Sequence, residues 1–186
     1  MTPTIFQLNA EDRAAREQAA RLLFDGFAQD WPDAWPTMHS ASETVTEILA
    51  VDNICLAAYD QTGTLVGWIG GVPQYDGNVW ELHPLVVDAD QRQAGIGRAL
   101  VHALEDKVRR RGSLTIIVWS DDETNMTSLG GVDLYPDPLD HIQRIENRRD
   151  HPYGFYQRLG YVLAGVIPDA NGYGKPDILL VKRLTS

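Results

Sequence analysis

Arg92-Gln93-Ala94-Gly95-Ile96-Gly97-Arg98 stands between a short apolar run, Leu85-Val86-Val87, and a helical stripe of Ala99, Leu100, Ala103, Leu104 and Val108. The order is strand, glycine-containing loop, helix. Such a loop turns backbone N–H groups toward one point, and the helix start adds partial positive charge. Glycine lets an anion approach the backbone. The stretch reads as a pyrophosphate cradle. Upstream, Glu81 and His83 are two apart on the strand Val79 to Val87 and therefore share a face. Downstream, Ser120-Asp121-Asp122-Glu123 makes an acidic turn after the strand Leu114 to Trp119. It lies at the strand's C-terminal end, where open α/β sheets place their ligands.

The elements that must position these groups follow from the hydrophobic pattern. Ile5 to Leu8 reads as a strand, with Asn9 or a neighbour capping a helix through Ala14, Ala15, Ala19, Leu22 and Leu23 that ends near Gly26. Two Trp-Pro pairs follow, Trp31-Pro32 and Trp35-Pro36. Each proline biases its tryptophan toward an extended backbone, and the indoles suit either the core or an aromatic wall over a substrate ring. Ser42 opens a second helix to Ala50. Ile54 to Tyr59, Leu65 to Val72 and Val79 to Val87 read as three antiparallel strands joined by turns at 61–64 and 73–78. The helix from about Gly97 stops in a basic last turn and Gly112. The segment 124–150 is long for a loop, which points to a site or an interface, with a helix through Ile142 and Ile145. A short helix Tyr153 to Leu159, a strand Tyr161 to Ile167, a turn 168–176 and a last strand Asp177 to Leu184 close the chain.

Whole-chain properties narrow the function. The 186 residues, 44% hydrophobic, suit one domain spanning 1–186 with a sizeable core. No apolar run approaches membrane-spanning length, and no signal pattern opens the chain. The single cysteine, Cys55, sits in a strand and reads as a buried small hydrophobe, so a cytoplasmic protein without disulfides is expected. A net charge of −10 argues against nucleic-acid binding and is compatible with a cationic substrate.

Two kinds of cosubstrate could use the cradle. A dinucleotide fold wants its first glycine directly after a strand, whereas Asp88 to Ala94 intervene here. Asp121-Asp122 after the next strand keeps the nicotinamide reading open. The pattern Arg92-x-x-Gly95-x-Gly97 after a strand, together with Phe155-Tyr156-Gln157-Arg158-Leu159-Gly160-Tyr161, resembles the GNAT family of acetyl-CoA-dependent N-acetyltransferases. Trp80 to Val87, Ile69 to Tyr75, His151-Pro152-Tyr153 and Ala170 to Ile178 narrow the resemblance to the aminoglycoside 6′-N-acetyltransferases of that family, from about Leu22 to the C-terminus. Asp33 to Pro36 and 124–140 depart from that pattern.

The resemblance implies an α/β (α+β) GNAT acyltransferase fold, a mixed and mostly antiparallel sheet flanked by helices with a splayed central strand. Pro84, which has no N–H, fits a broken ladder there. It implies that the Leu85 N–H polarises the thioester carbonyl, and that Val86 and Val87 pair with the pantetheine arm. Arg92, Gln93, Ala94, Gly95, Ile96, Gly97 and Arg98 would hold the pyrophosphate. Glu81 would act as base or ammonium ligand, with His83 the alternative base. Tyr156 would protonate or hydrogen-bond the leaving thiolate beside the cofactor. Trp31, Tyr75, Glu81, Asp121 and Asp122 would hold a polycationic aminoglycoside. A homodimer without metal, nucleic acid or membrane partner is the corresponding assembly. A GNAT enzyme for another amine, such as a polyamine or protein N-terminus, and a non-catalytic acyl-CoA-binding module are the alternatives.

Overall fold

The structure, a computed structural model, describes residues 3–184. The chain divides into two compact units, one running to Ile116 and the other Ile117–Leu184.

The first unit contains β1 (Thr4–Gln7), α1 (Arg13–Phe27), α2 (Met38–Ile48), β2 (Ile54–Tyr59), β3 (Leu65–Gln74), β4 (Val79–Val87) and α3 (Ile96–Arg110), and ends as β5 (Thr115–Asp121) begins. Its strands stand in the order β1-β2-β3-β4, each pair antiparallel. Two helix starts differ from the sequence expectation. Asp12, rather than Asn9, caps α1 by accepting the Ala15 N–H at 3.0 Å. Thr37 and Ser40 form a reciprocal capping box that starts α2 at Met38. Ser42 therefore lies inside the helix, where its hydroxyl donates to the Met38 carbonyl.

β3 is the middle of this unit, and its side chains alternate between two helical layers. Trp68 faces α1 and donates its indole N–H to the Ala19 carbonyl at 2.9 Å. It joins a core of Ala15, Ala19, Leu23, Ala41, Val45 and Ile48 from α1 and α2. Gly67 and Gly71 face the other way, against Ile96, Leu100 and Leu104 of α3. Burial on both faces explains the continuous apolar run of β3. The strand also passes the expected turn at Pro73 and pairs as far as Gln74 with Val79. Only alternate residues bond a given neighbour, so Pro73 is tolerated there. Cys55 is buried in this core, and burial pushes its thiol up to about 12.

The second unit holds the rest of β5, α4 (Pro138–Gln143), α5 (Tyr153–Arg158), β6 (Val162–Ile167) and β7 (Asp177–Arg183), with the strands ordered β5-β7-β6. β6 and β7 are antiparallel. Its core includes Leu129, Leu134, Tyr153, Tyr156, Tyr161, Ile178 and Leu180. α4 stops before Ile145, and β5 runs on to Asp121, so that residue ends a strand rather than opening a turn. Among the described residues no helix is long and apolar enough to cross a membrane.

Candidate functional site

β4 carries a bulge. Gly71 pairs with Leu82 and Ile69 with Leu85, so His83 and Pro84 together oppose Gly70 alone. A Cβ on Gly70 would run into the His83 carbonyl oxygen and meet Ile48 Cγ2 at 2.7 Å. Glycine opposite the bulge is what lets the two strands stay together. Upstream of the bulge, Glu81 is half-buried and pairs across the ladder with Val72. Gln74, two residues along β3, is its diagonal neighbour on the same face, and its side-chain amide donates to Glu81 Oε2 at 3.3 Å. Next comes a 3-10 turn, Tyr75–Gly77. Tyr75 (φ 50°) and Asp76 (φ 55°) both adopt the left-handed conformation, and Tyr75 is 77% exposed. Such strain costs on the order of 1–3 kcal/mol per residue and collects at functional positions.

His83 is exposed on the same face as Glu81. Its ring lies 5.9 Å from that of Trp35, which packs edge-on against Phe27 at 4.6 Å. Trp31 also packs against Phe27, at 5.6 Å. Trp35 is fixed by its indole N–H, which donates to Thr44 Oγ1. Both tryptophans thus belong to one aromatic cluster around Phe27, and the ring of Trp35 extends it to His83.

After β4, the loop 88–95 leads into α3 through Gly95, which takes φ 85°. The helix starts differ in a telling way. α1 and α2 have side-chain caps, whereas α3 has none. The first N–H groups of a helix have no partner inside it. A Cβ on Gly95 would meet nothing within 4 Å, so the approach to those N–H groups is open. Gln93, Ala94, Gly95 and Arg98 are exposed, while Ile96 plugs the core and offers only its backbone. Arg92 donates to the Gly26 carbonyl at 3.2 Å and ties this loop to the end of α1. An uncapped 15-residue helix entered through an open glycine has the chemistry of an anion site and fits a pyrophosphate.

In the second unit, the adjacent acids Asp121 and Asp122 are placed differently. Asp122 is fully buried, and its carboxylate accepts from the Met126 N–H (2.6 Å), the Thr127 N–H (2.8 Å) and the Thr127 hydroxyl (2.7 Å). The carboxylate of Asp122, expected to bind substrate, is engaged in closing the 122–127 turn. Asp121 is half-buried and its carboxylate accepts a hydrogen bond from the Asn171 amide. Its carbonyl faces His151 Nε2 at 3.0 Å. His151 Nδ1 accepts the Tyr153 N–H, so the proton sits on Nε2 and is donated to Asp121. Burial pushes the His151 pKa down, against the pull of the carboxylates of Asp122 and Asp121. Asn147 bonds the His151 backbone on both sides. Tyr156 is buried beside Phe155 and Tyr161, and burial raises its phenol pKa, so it stays protonated at neutral pH.

The acetyltransferase (GNAT) family model matches residues 16–136, more than half of the chain. This chain belongs to the GNAT acetyltransferase family. Solved GNAT structures agree. A crystal structure of an aminoglycoside 6′-N-acetyltransferase complexed with coenzyme A is 39% identical, covers 98% of each chain and superposes with a TM-score of 0.88. The aminoglycoside 6′-N-acetyltransferase from Enterococcus faecium matches at 39% identity, 98% of each chain and a TM-score of 0.86. An aminoglycoside 6′-acetyltransferase type Ii matches at 35%, 98% of each chain and 0.73. No curated protein sequence matches this chain.

Within the GNAT fold, the first unit places Glu81, His83, Tyr75, Leu85, Val86, Val87 and the cradle along one strand and its exits. Gln74, Asn171 and His151 join the candidate residues only through the structure. Asn171 and His151 lie 50 and 30 positions from Asp121, so no spacing in the sequence links them.

Proposed function

We propose that this GNAT protein transfers the acetyl group of acetyl-CoA directly to the 6′-amino group of an aminoglycoside, an activity that confers resistance to these antibiotics. The observation that carries the reading is the 39% identity over 98% of both chains to an aminoglycoside 6′-N-acetyltransferase complexed with coenzyme A. The uncapped start of α3 supports the cofactor, and the net charge of −10 supports a polycationic substrate.

Acetyl-CoA would supply the acetyl group as a thioester, with a pyrophosphate and a pantetheine arm to be held. The N–H groups of the segment Gln93 to Arg98, with the charge of Arg92 and Arg98, take the pyrophosphate. The backbone of Val86 and Val87 takes the arm. The Leu85 N–H donates to the carbonyl oxygen that turns negative; one such donor is worth about 2.7–4 kcal/mol in a well-studied hydrolase. The Glu81 carboxylate, with the Gln74 amide donating to it, binds the ammonium and takes its proton directly or through water. His83 is the second group on that face able to take a proton. The Tyr156 O–H, kept protonated by burial, donates to the departing sulfur. Tyr75 and Trp31 offer aromatic faces to the sugar rings, and Asp121 holds a further ammonium group.

The test is thiol release from acetyl-CoA with kanamycin, gentamicin, a 6′-hydroxyl aminoglycoside, spermidine and a lysine peptide. The 6′-amino compounds should be turned over and the 6′-hydroxyl compound should not. Glu81→Gln should lower kcat/KM for kanamycin by about tenfold or more, the size of a lost charge-assisted contact. Turnover of spermidine or peptide alone would reject the substrate.

A further inference from the structure

We infer that Asn171 is a positioning residue for substrate binding, acting through Asp121. The inference rests on the reading above that Asp121 holds an ammonium group of a polycationic amine.

Contacts from His151 and Asn171 hold Asp121. The ring of His151, itself buried and in a single tautomer, holds its main-chain carbonyl. The side-chain amide of Asn171 donates to its carboxylate. An amide must turn its N–H, not its oxygen, toward a carboxylate, so the orientation of Asn171 follows from its partner. An ionised carboxylate has about four acceptor directions, so the bond from Asn171 does not by itself fill it. The Asn171 bond limits the rotamers open to the Asp121 side chain, which would otherwise lose more freedom each time substrate bound. With the bond, part of that loss is met in folding.

The turn that carries Asn171 does not need this bond. Asp169 accepts the Gly174 N–H at 2.7 Å, the Asn171 N–H donates to the Lys175 carbonyl at 3.1 Å, and the Lys175 N–H donates to the Gly172 carbonyl at 2.9 Å. The Asp122 N–H donates to the Pro176 carbonyl at 2.9 Å, and Lys175 pairs with Glu123 at 3.7 Å. The turn is thus fastened internally and to the residues after Asp121 by other contacts. The Asn171 side chain, otherwise exposed, is what reaches the Asp121 carboxylate.

The experiment is a double-mutant cycle of Asn171→Ala and Asp121→Asn, run with whichever of kanamycin and spermidine the wild-type protein acetylates. Asn171→Ala should raise the amine KM about tenfold, the size of one hydrogen bond to a charged group, with kcat and the acetyl-CoA KM within about twofold. In the Asp121→Asn background it should add nothing, because its effect passes through that carboxylate. Asn171→Ser, which keeps a small donor, should recover part of the loss. It also carries the test should the alanine variant fold poorly. Asn171→Asp should weaken binding further by setting two carboxylates against each other. A wild-type KM in Asn171→Ala, additive effects in the cycle, or a lower KM in Asn171→Asp would each overturn the inference. If Asp121→Asn alone leaves KM unchanged, or neither amine is turned over, the underlying reading fails and the inference with it.

Discussion

Asp121 and Asp122 are neighbours of the same chemical type, yet the fold gives them different surroundings. Asp122 points inward to three donors, and Asp121 sits at a half-buried strand end beside Asn171. The consequence is testable on Asp122. Asn in its place presents an amide N–H2 to donors that need an acceptor, at a fully buried position. Leaving a buried group unsatisfied costs about 1–3 kcal/mol, more when a charge was involved. Asp122→Asn should therefore lose about 3 kcal/mol or more in urea unfolding, whereas Thr127→Val, which removes only the hydroxyl, should lose about 1 kcal/mol. Equal and small losses in both would show that the carboxylate does not organise the turn. At this scale the sequence was partly legible. Period-two alternation put Glu81 and His83 on one face, and they are indeed the less buried positions of β4. Alternation could not separate Asp121 from Asp122 by role, because their donors come from Met126, Thr127 and Asn171.

Two elements, β4 and α3, carry the cofactor half of the proposal, and each departs from the regular form of its class. β4 departs through the bulge at His83-Pro84, and Gly70 on β3 makes room for it. A methyl group at Gly70 would strike backbone, not a side chain that could swing aside. Overpacking in a core costs about 1–3 kcal/mol, and Gly70→Ala should reach the upper end of that range or fail to fold. Gly165→Ala on β6 is the control, since a Cβ there meets nothing within 4 Å and should change stability by less than about 0.5 kcal/mol. Chemical denaturation of both variants decides; a neutral Gly70→Ala would mean the bulge is dispensable. α3 departs by lacking a cap, where α1 and α2 have Asp12 and Thr37. The sequence placed this helix start near Gly97, and the structure puts the N-cap at Gly95, which has no side chain to accept a bond. At α2 the sequence misled: Ser42 looked like a cap, but Thr37 and Ser40 together make a better one.

Charge and proton uptake are properties of the whole molecule. With a net charge of −10, attraction to a polycation should be screened by salt. The screening length falls from about 10 Å at 0.1 M to about 3 Å at 1 M. The KM for kanamycin should therefore rise with added sodium chloride while kcat holds. A KM indifferent to salt would remove the electrostatic argument for the substrate. Acid should also loosen the fold through His151. Burial holds its pKa below the ordinary 6.5, so the folded chain binds fewer protons at this ring than the unfolded chain does. The stability it contributes is complete above about pH 6.5 and is lost as pH falls toward the lowered value. Thermal melting from pH 8 to pH 5 should show Tm falling below about pH 6.5, with a shallower fall in His151→Gln. Parallel curves would assign the acid sensitivity elsewhere.

The sequence by itself determined what is local. The strand–glycine–helix cradle, the alternation on β4, the buried Cys55 and the family motifs all lie within short windows, where periodicity and turn chemistry act. The fold class followed from these, and the family match agrees with it. The tertiary structure decided what depends on distant partners. Gln74 reaches Glu81 across a ladder, Trp35 meets His83, and His151 and Asn171 converge on Asp121 from segments 30 and 50 positions away. A side chain's role is set by the donors, acceptors and dielectric around it, and in a folded chain most of those arrive from elsewhere in the sequence.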